Sequence, residues 1–202
     1  MAVQDQVPKT RSTVPTRQTR ATMPDGSPTG RSPRPQVLAV LRIMMGLTFL
    51  WAFLDKMFGL GYATPAANAW VDGGSPTKGF LGNVQVGPFQ SMLQSWAGSG
   101  WANWLFMIGL LGIGLALLLG IGMRVAAASA AVLLAFMWIA EWPPAQVNAA
   151  GEATSSTNPL IDSHLVYIVV VIALALYAAG DTWGLGRWWA KLPIVDRNRW
   201  LR

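Results

Sequence analysis

Four apolar runs, nearly free of charge, restrict what this chain can become: residues 37–58, 102–122, 125–142 and 164–180. A helix needs about 20 residues to cross about 30 Å of hydrocarbon. The first two runs reach that length, and the last two lie near its lower limit. One such run alone would suit the buried helix of a soluble protein. Four of them in 202 residues leave too little polar surface for that. The charge content agrees, since 12% of residues are charged against about 25% in an average soluble domain. The fold expected is all-α, a bundle of four transmembrane helices in a lipid bilayer.

Basic residues set the orientation. Residues 1–35 are rich in Ser, Thr, Pro and Arg, with almost no large apolar side chains. That composition predicts a disordered basic cytoplasmic tail, able to touch anionic lipid through Lys9, Arg11, Arg17, Arg20, Arg31 and Arg34. Residues 36–190 form the membrane domain, and 191–202 a second basic cytoplasmic tail. Arg124 marks the turn between the second and third runs, whereas the loop 61–101 holds only Lys78 and the loop 143–163 holds no Lys or Arg. Basic segments stay on the cytoplasmic side, so the chain is read as N-in and C-in. The net charge of +6 thus reports topology. Nucleic acid is not an expected partner, because no basic patch alternates with base-stacking aromatics outside the apolar runs.

The chain has no Cys and a single His, His164. Disulfides, thiolate metal sites and Cys-ligated clusters are excluded, and one chain lacks the two imidazoles of a b-type haem. No metal or haem site is evident in the sequence.

The first external loop is long. Phe89, Met92, Leu93 and Trp96 follow i, i+3, i+4, i+7 spacing, which predicts a short amphipathic helix in the membrane interface. The segment from Gly73 to Gly79 carries turn chemistry. Trp96, Trp101, Trp104, Trp138 and Trp142 fall at the outer ends of the runs, and Trp183, Trp188 and Trp189 follow the last one, as an aromatic belt requires. Gly112, Ala116 and Gly120 on the second run and Ala127, Ala131 and Ala135 on the third recur every four residues. These stripes predict close packing of the second helix on the third.

Ionisable groups in apolar runs tend to be paired, snorkelling or functional. For Arg42, snorkelling and a buried structural pair both stay open. Asp55, Lys56, Glu141, Asp162 and His164 are expected at similar depth on the outer side. They form either one charged cluster or a set of solvated helix ends, with Asp162 or Ser163 as an N-cap. His164, Glu141, Asp162 and Lys56 are the candidate catalytic residues. On the inner side, Asp181 is expected to pair with Arg124 or Arg187.

Several motifs carry a resemblance. They are residues 41–51 with Arg42 and Gly46, then Asp55-Lys56-Met57-Phe58-Gly59, Gly73-Gly74-Ser75-Pro76-Thr77-Lys78-Gly79, Gly109-Leu110-Leu111-Gly112, Gly120-Ile121-Gly122-Met123-Arg124 and Gly180-Asp181-Thr182-Trp183-Gly184-Leu185-Gly186-Arg187. Together they resemble the DoxX/DoxD membrane protein family over residues 37–190. The resemblance implies a four-helix, multi-pass protein of a prokaryotic cell membrane. The long Gly-Gly-Ser-Pro loop looks closest to the DoxD branch, which resembles a subunit of thiosulfate:quinone oxidoreductase. What this implies is a membrane subunit that passes electrons from thiosulfate, oxidised to tetrathionate, to membrane quinone as acceptor.

In that reading Lys56 and Lys78 attract the anion, Glu141 or Asp162 relays protons, and His164 orients a quinone oxygen. The acidic external residues Asp72, Glu141, Glu152 and Asp162 oppose an anion, so a partner protein subunit is expected. The alternative is a non-catalytic scaffold or accessory subunit of a respiratory or redox complex. Either reading is compatible with a homo-oligomer.

Overall fold

The computed structural model describes residues 34–202, except 86, 143–145, 148–155 and 157. Residues 1–33 of the expected N-terminal tail lie outside the described residues, and Arg34 and Pro35, also placed in that tail, begin the first helix. Among those described, the structure is all-helical and has no extended strand.

Four apolar helices carry the fold: α1 (Arg34–Phe58), α4 (Gly100–Leu119), α5 (Met123–Ala140) and α6 (Ser163–Leu176). Between α1 and α4 stand the short helices α2 (Lys78–Gly82) and α3 (Gln90–Trp96), and after α6 come α7 (Gly186–Trp189) and α8 (Pro193–Arg197). Helices α1, α4 and α5 are long and apolar enough to cross a membrane, while α6 is apolar with 14 residues.

Each long helix is apolar on both faces. On α1, Ala39, Met45, Phe49 and Phe53 are buried against the other helices, while Val37, Val40, Met44, Leu47 and Trp51 are exposed. A helix of a soluble protein would turn polar side chains to that second face. The core runs through Met45, Phe49, Met107, Ile113, Leu134 and Val171.

Helices α1 and α4 approach closely at two glycines. A Cβ on Gly46 would come within 2.9 Å of Leu118, and one on Gly114 within 2.9 Å of the Leu50 nitrogen. Gly112 has nothing within 4 Å of that position. The expected Gly112–Ala116–Gly120 contact with α5 is therefore corrected. The small residues that let helices touch in lipid are Gly46 and Gly114, because α1 docks on the opposite flank of α4 and sets its rotation.

The long loop is fastened at two points. Asp55, 1% exposed, accepts from the backbone of Tyr62 (3.2 Å) and Ala63 (3.1 Å). Asn103 Oδ1 on α4 accepts from Ser75 Oγ (3.0 Å), Thr77 N (3.1 Å) and Thr77 Oγ1 (2.7 Å). The Gly73–Gly79 turn thus serves to bring Ser75 and Thr77 onto one buried acceptor. The amphipathic stripe does form α3, with Leu93 buried beside Val84 and Ala140 and with Phe89 and Met92 exposed.

The C-terminal segment 191–202 is folded back onto the start of α5 and onto Trp189. Val195 of α8 is 1% exposed. Arg124 on α5 donates from its backbone to Arg202 O (3.1 Å) and from Nη1 to Arg199 O (3.0 Å). Trp189 Nε1 donates to Leu201 O (2.7 Å). These bonds use backbone carbonyls, which no reading of side-chain charge reveals. Asp181 pairs with Arg202 at 3.8 Å, in place of the expected Arg124 or Arg187.

Candidate functional site

Two polar clusters lie at opposite ends of α5. The first surrounds Arg42, which is fully buried. Helix α4 ends in a Schellman turn, in which Gly120, left-handed at φ 70°, donates to Leu117 O and Ile121 donates to Ala116 O. The last carbonyls of α4 still need partners. Leu185 N donates to Leu119 O at 2.8 Å. Arg42 Nη1 donates to Leu117 O and to Leu118 O (2.7 Å), and Nη2 donates to Trp183 O (3.0 Å) and Thr182 O (3.4 Å).

Arg42 is therefore not snorkelling and, among the described residues, has no acidic partner. It ties the end of α4 to the segment after α6. The backbones meet there, since a Cβ on Gly180 would lie 2.3 Å from Gly120 O. Trp183 holds a left-handed φ of 52°, a conformation that costs a non-glycine residue roughly 1–2 kcal/mol and that places its carbonyl on the guanidinium.

The second cluster joins the C-terminal end of α5 to the N-terminal end of α6. Trp138 Nε1 donates to Leu160 O (3.0 Å), and Asn158 Oδ1 accepts from Leu160 N and Ile161 N (2.9 Å each). That turn delivers Asp162 as the N-cap of α6, with Oδ1 accepting from Leu165 N at 3.1 Å. Its other oxygen, Oδ2, lies 2.6 Å from His164 Nδ1, and Glu141 Oε2 lies 3.8 Å from the same nitrogen. Side-chain exposure is 15% for His164, 22% for Asp162 and 49% for Glu141. Burial raises the Glu141 carboxyl above the usual carboxylate range; His164 partly offsets that rise, and the charge of Asp162 adds to it.

Three of the five outer ionisable residues are thus brought together. The other two are not. Asp55 is engaged by the loop backbone, and Lys56 Nζ lies 5.9 Å from the centroid of the Phe106 ring, within cation–π range.

Phe106 also lines a feature that the sequence reading missed. An apolar cavity of about 250 Å³ lies between the loop helices and α4 and α5, walled by Phe80, Leu93, Trp96, Trp101, Phe106 and Met137 among others. Thr77 is its one polar side chain, already bonded to Asn103. Trp101 and Leu105 on its rim are exposed, so it opens on the flank of the helices. Met137 stands one turn before Glu141 on α5. The rings of Trp96 and Trp101 meet edge to face at 5.3 Å, a contact that neither the belt pattern nor the amphipathic stripe holding Trp96 predicts. The available signal was that aromatics of the loop helix and of α4 share one level.

Comparison with known proteins identifies the DoxX family over residues 37–142, just over half of the chain. No curated protein and no solved structure matches.

Proposed function

The chain belongs to the DoxX family, and from that premise we propose that this multi-pass membrane protein is the quinone-binding membrane subunit of an oxidoreductase. The observation that carries this reading is the apolar cavity one helical turn from the His164 cluster. Aromatic rings there suit a flat, lipid-soluble ring, and the open flank suits lateral arrival from the bilayer.

In this reading α6 is the fourth span. Its first turn meets the end of α5, and the segment after it meets the end of α4, so it covers about the same depth as α5. Four crossings put both termini on one side, the cytoplasmic side by the placement of Lys and Arg, and leave α3 in the outer interface. The membrane would be that of a prokaryotic cell.

His164 is held through Nδ1 by Asp162, which leaves Nε2 to hydrogen-bond a quinone oxygen. Glu141, with its raised affinity for protons, exchanges the proton. Lys56 adds positive charge beside the cavity wall. With thiosulfate as donor, two thiosulfates become tetrathionate and release two electrons, and quinone takes up these electrons with two protons to form quinol. The acidic external segments disfavour an anion on this chain, which supports a thiosulfate site on a partner subunit, as the resemblance to the DoxD branch implies.

The test is thiosulfate-driven quinone reduction in membranes that hold the whole complex. His164→Ala should abolish the activity at unchanged protein level, and Ala102→Trp, which fills the cavity, should raise the KM for quinone. Normal kinetics in both variants would overturn the reading and leave the accessory role.

A further inference from the structure

We propose that Glu141, Asp162 and His164 form a binding site for a divalent first-row transition metal ion, and that Zn²⁺ fits its donor set. The inference goes beyond the quinone reading and rests on the geometry of the triad alone.

The donors are one imidazole nitrogen and two carboxylate oxygens, all within 4.8 Å of one another. Zn–N and Zn–O bonds of about 2.0–2.2 Å place tetrahedral donors roughly 3.3–3.6 Å apart. The observed separations from His164 Nδ1, 2.6 Å to Asp162 and 3.8 Å to Glu141, fall on either side of that value. Side-chain rotations of less than about one ångström bring both to it, with the ion taking the place of the Nδ1 proton.

The triad is not merely a set of acids at a helix end. Its imidazole comes from the first turn of α6, and one carboxylate comes from the far end of a different helix, so α5–α6 packing presets the distance. Asp162 is oriented by a bond outside the set, from Leu165 N to Oδ1, the kind of support that fixes a metal ligand.

Charge points the same way. Two carboxylates flank an imidazole that is neutral when it binds metal, and the loop 143–163 supplies no Lys or Arg. Among the described residues, the ion-pair partner of Glu141 and Asp162 is His164. The positive end of the α6 dipole opposes a cation with about half an elementary charge, against two full negative charges. A mixed nitrogen–oxygen set selects a first-row ion over Mg²⁺, which prefers all-oxygen octahedra. The half-exposed Glu141 leaves the fourth position to water.

The experiment uses the purified full chain in detergent, stripped with chelator and dialysed against Zn²⁺ or Co²⁺ with excess Mg²⁺. The expected result is one Zn²⁺ or Co²⁺ retained per chain, with a visible Co²⁺ absorption band. His164→Gln should abolish retention, and Glu141→Gln should weaken it about tenfold or more. If His164→Gln lowers the folded yield, the half-exposed Glu141→Gln decides. No retention, equal retention by the variants, or displacement by Mg²⁺ would each overturn the proposal. Retention is read without quinone or thiosulfate, so the two proposals stand or fall separately.

Discussion

The two ends of α5 solve the problem of polar groups near lipid in opposite ways. Around Arg42 the two terminal guanidinium nitrogens are engaged by backbone carbonyls, and among the described residues Nε alone is buried without a partner. One buried guanidinium meets four backbone carbonyls, and Gly120 and Gly180 bring two backbones into contact. Around His164 polar groups are left in excess, with two carboxylates sharing one imidazole under partial exposure. A cluster whose bonds run almost wholly within the chain holds that chain together and offers little to a ligand. An unsaturated one costs stability and keeps capacity for a proton or a cation.

Breaking the Arg42 cluster should have the largest effect. Arg42→Met strands carbonyls of α4 and of the segment after α6, and each buried acceptor left without a donor costs about 1–3 kcal/mol. The expected result is a collapse of folded yield and melting temperature in detergent. Arg42→Lys should not restore them, since one ammonium cannot reach four carbonyls in a planar fork. A normal melting temperature for Arg42→Met would erase the contrast between the two ends.

Gly180→Ala tests the same end by packing. Its Cβ would sit 2.3 Å from Gly120 O, and overpacking of this kind costs about 1–3 kcal/mol. Gly112→Leu, placed in open space, should leave the melting temperature nearly unchanged in the same measurement. A larger loss from Gly112→Leu than from Gly180→Ala would mean that α4 is rotated from the orientation described.

The smallest effect belongs to the other end. With the Glu141 carboxyl raised, the folded chain keeps a proton that the unfolded chain has already released. Stability therefore falls as pH rises from the usual carboxylate range through the raised value. Glu141→Gln should flatten that fall in melting curves taken from mildly acid to neutral pH. An unchanged slope would show that the carboxyl is as well solvated in the fold as in the unfolded chain.

Much of the triad end was legible because its determinants are local. Asp162 caps the helix that begins at the next residue, and His164 and Glu141 stand at the ends of apolar runs. Their convergence needed only that α5 and α6 be antiparallel neighbours. The Arg42 end was not legible, because a lone Arg in an apolar run looks the same whether it reaches lipid headgroups or backbone carbonyls. Its partners are carbonyls 75 to 141 residues away, and carbonyls carry no sequence identity. The small-residue stripe on α4 misled for a related reason. Spacing of four is satisfied on several faces of a Gly-rich helix, and the neighbour selects among them.

What sequence alone decided about this protein is its solvent and its elements. Every residue of a long charge-poor run must avoid water, so the apolar helices, their order and the charged ends follow from composition along one dimension. What tertiary structure decided is which flank of each helix meets which neighbour. Contact between helices in lipid depends on rotation and depth, and close packing discriminates between faces that hydropathy treats as equal. The guanidinium–carbonyl cluster, the Gly46–Gly114 crossing and the aromatic cavity all arise at that level.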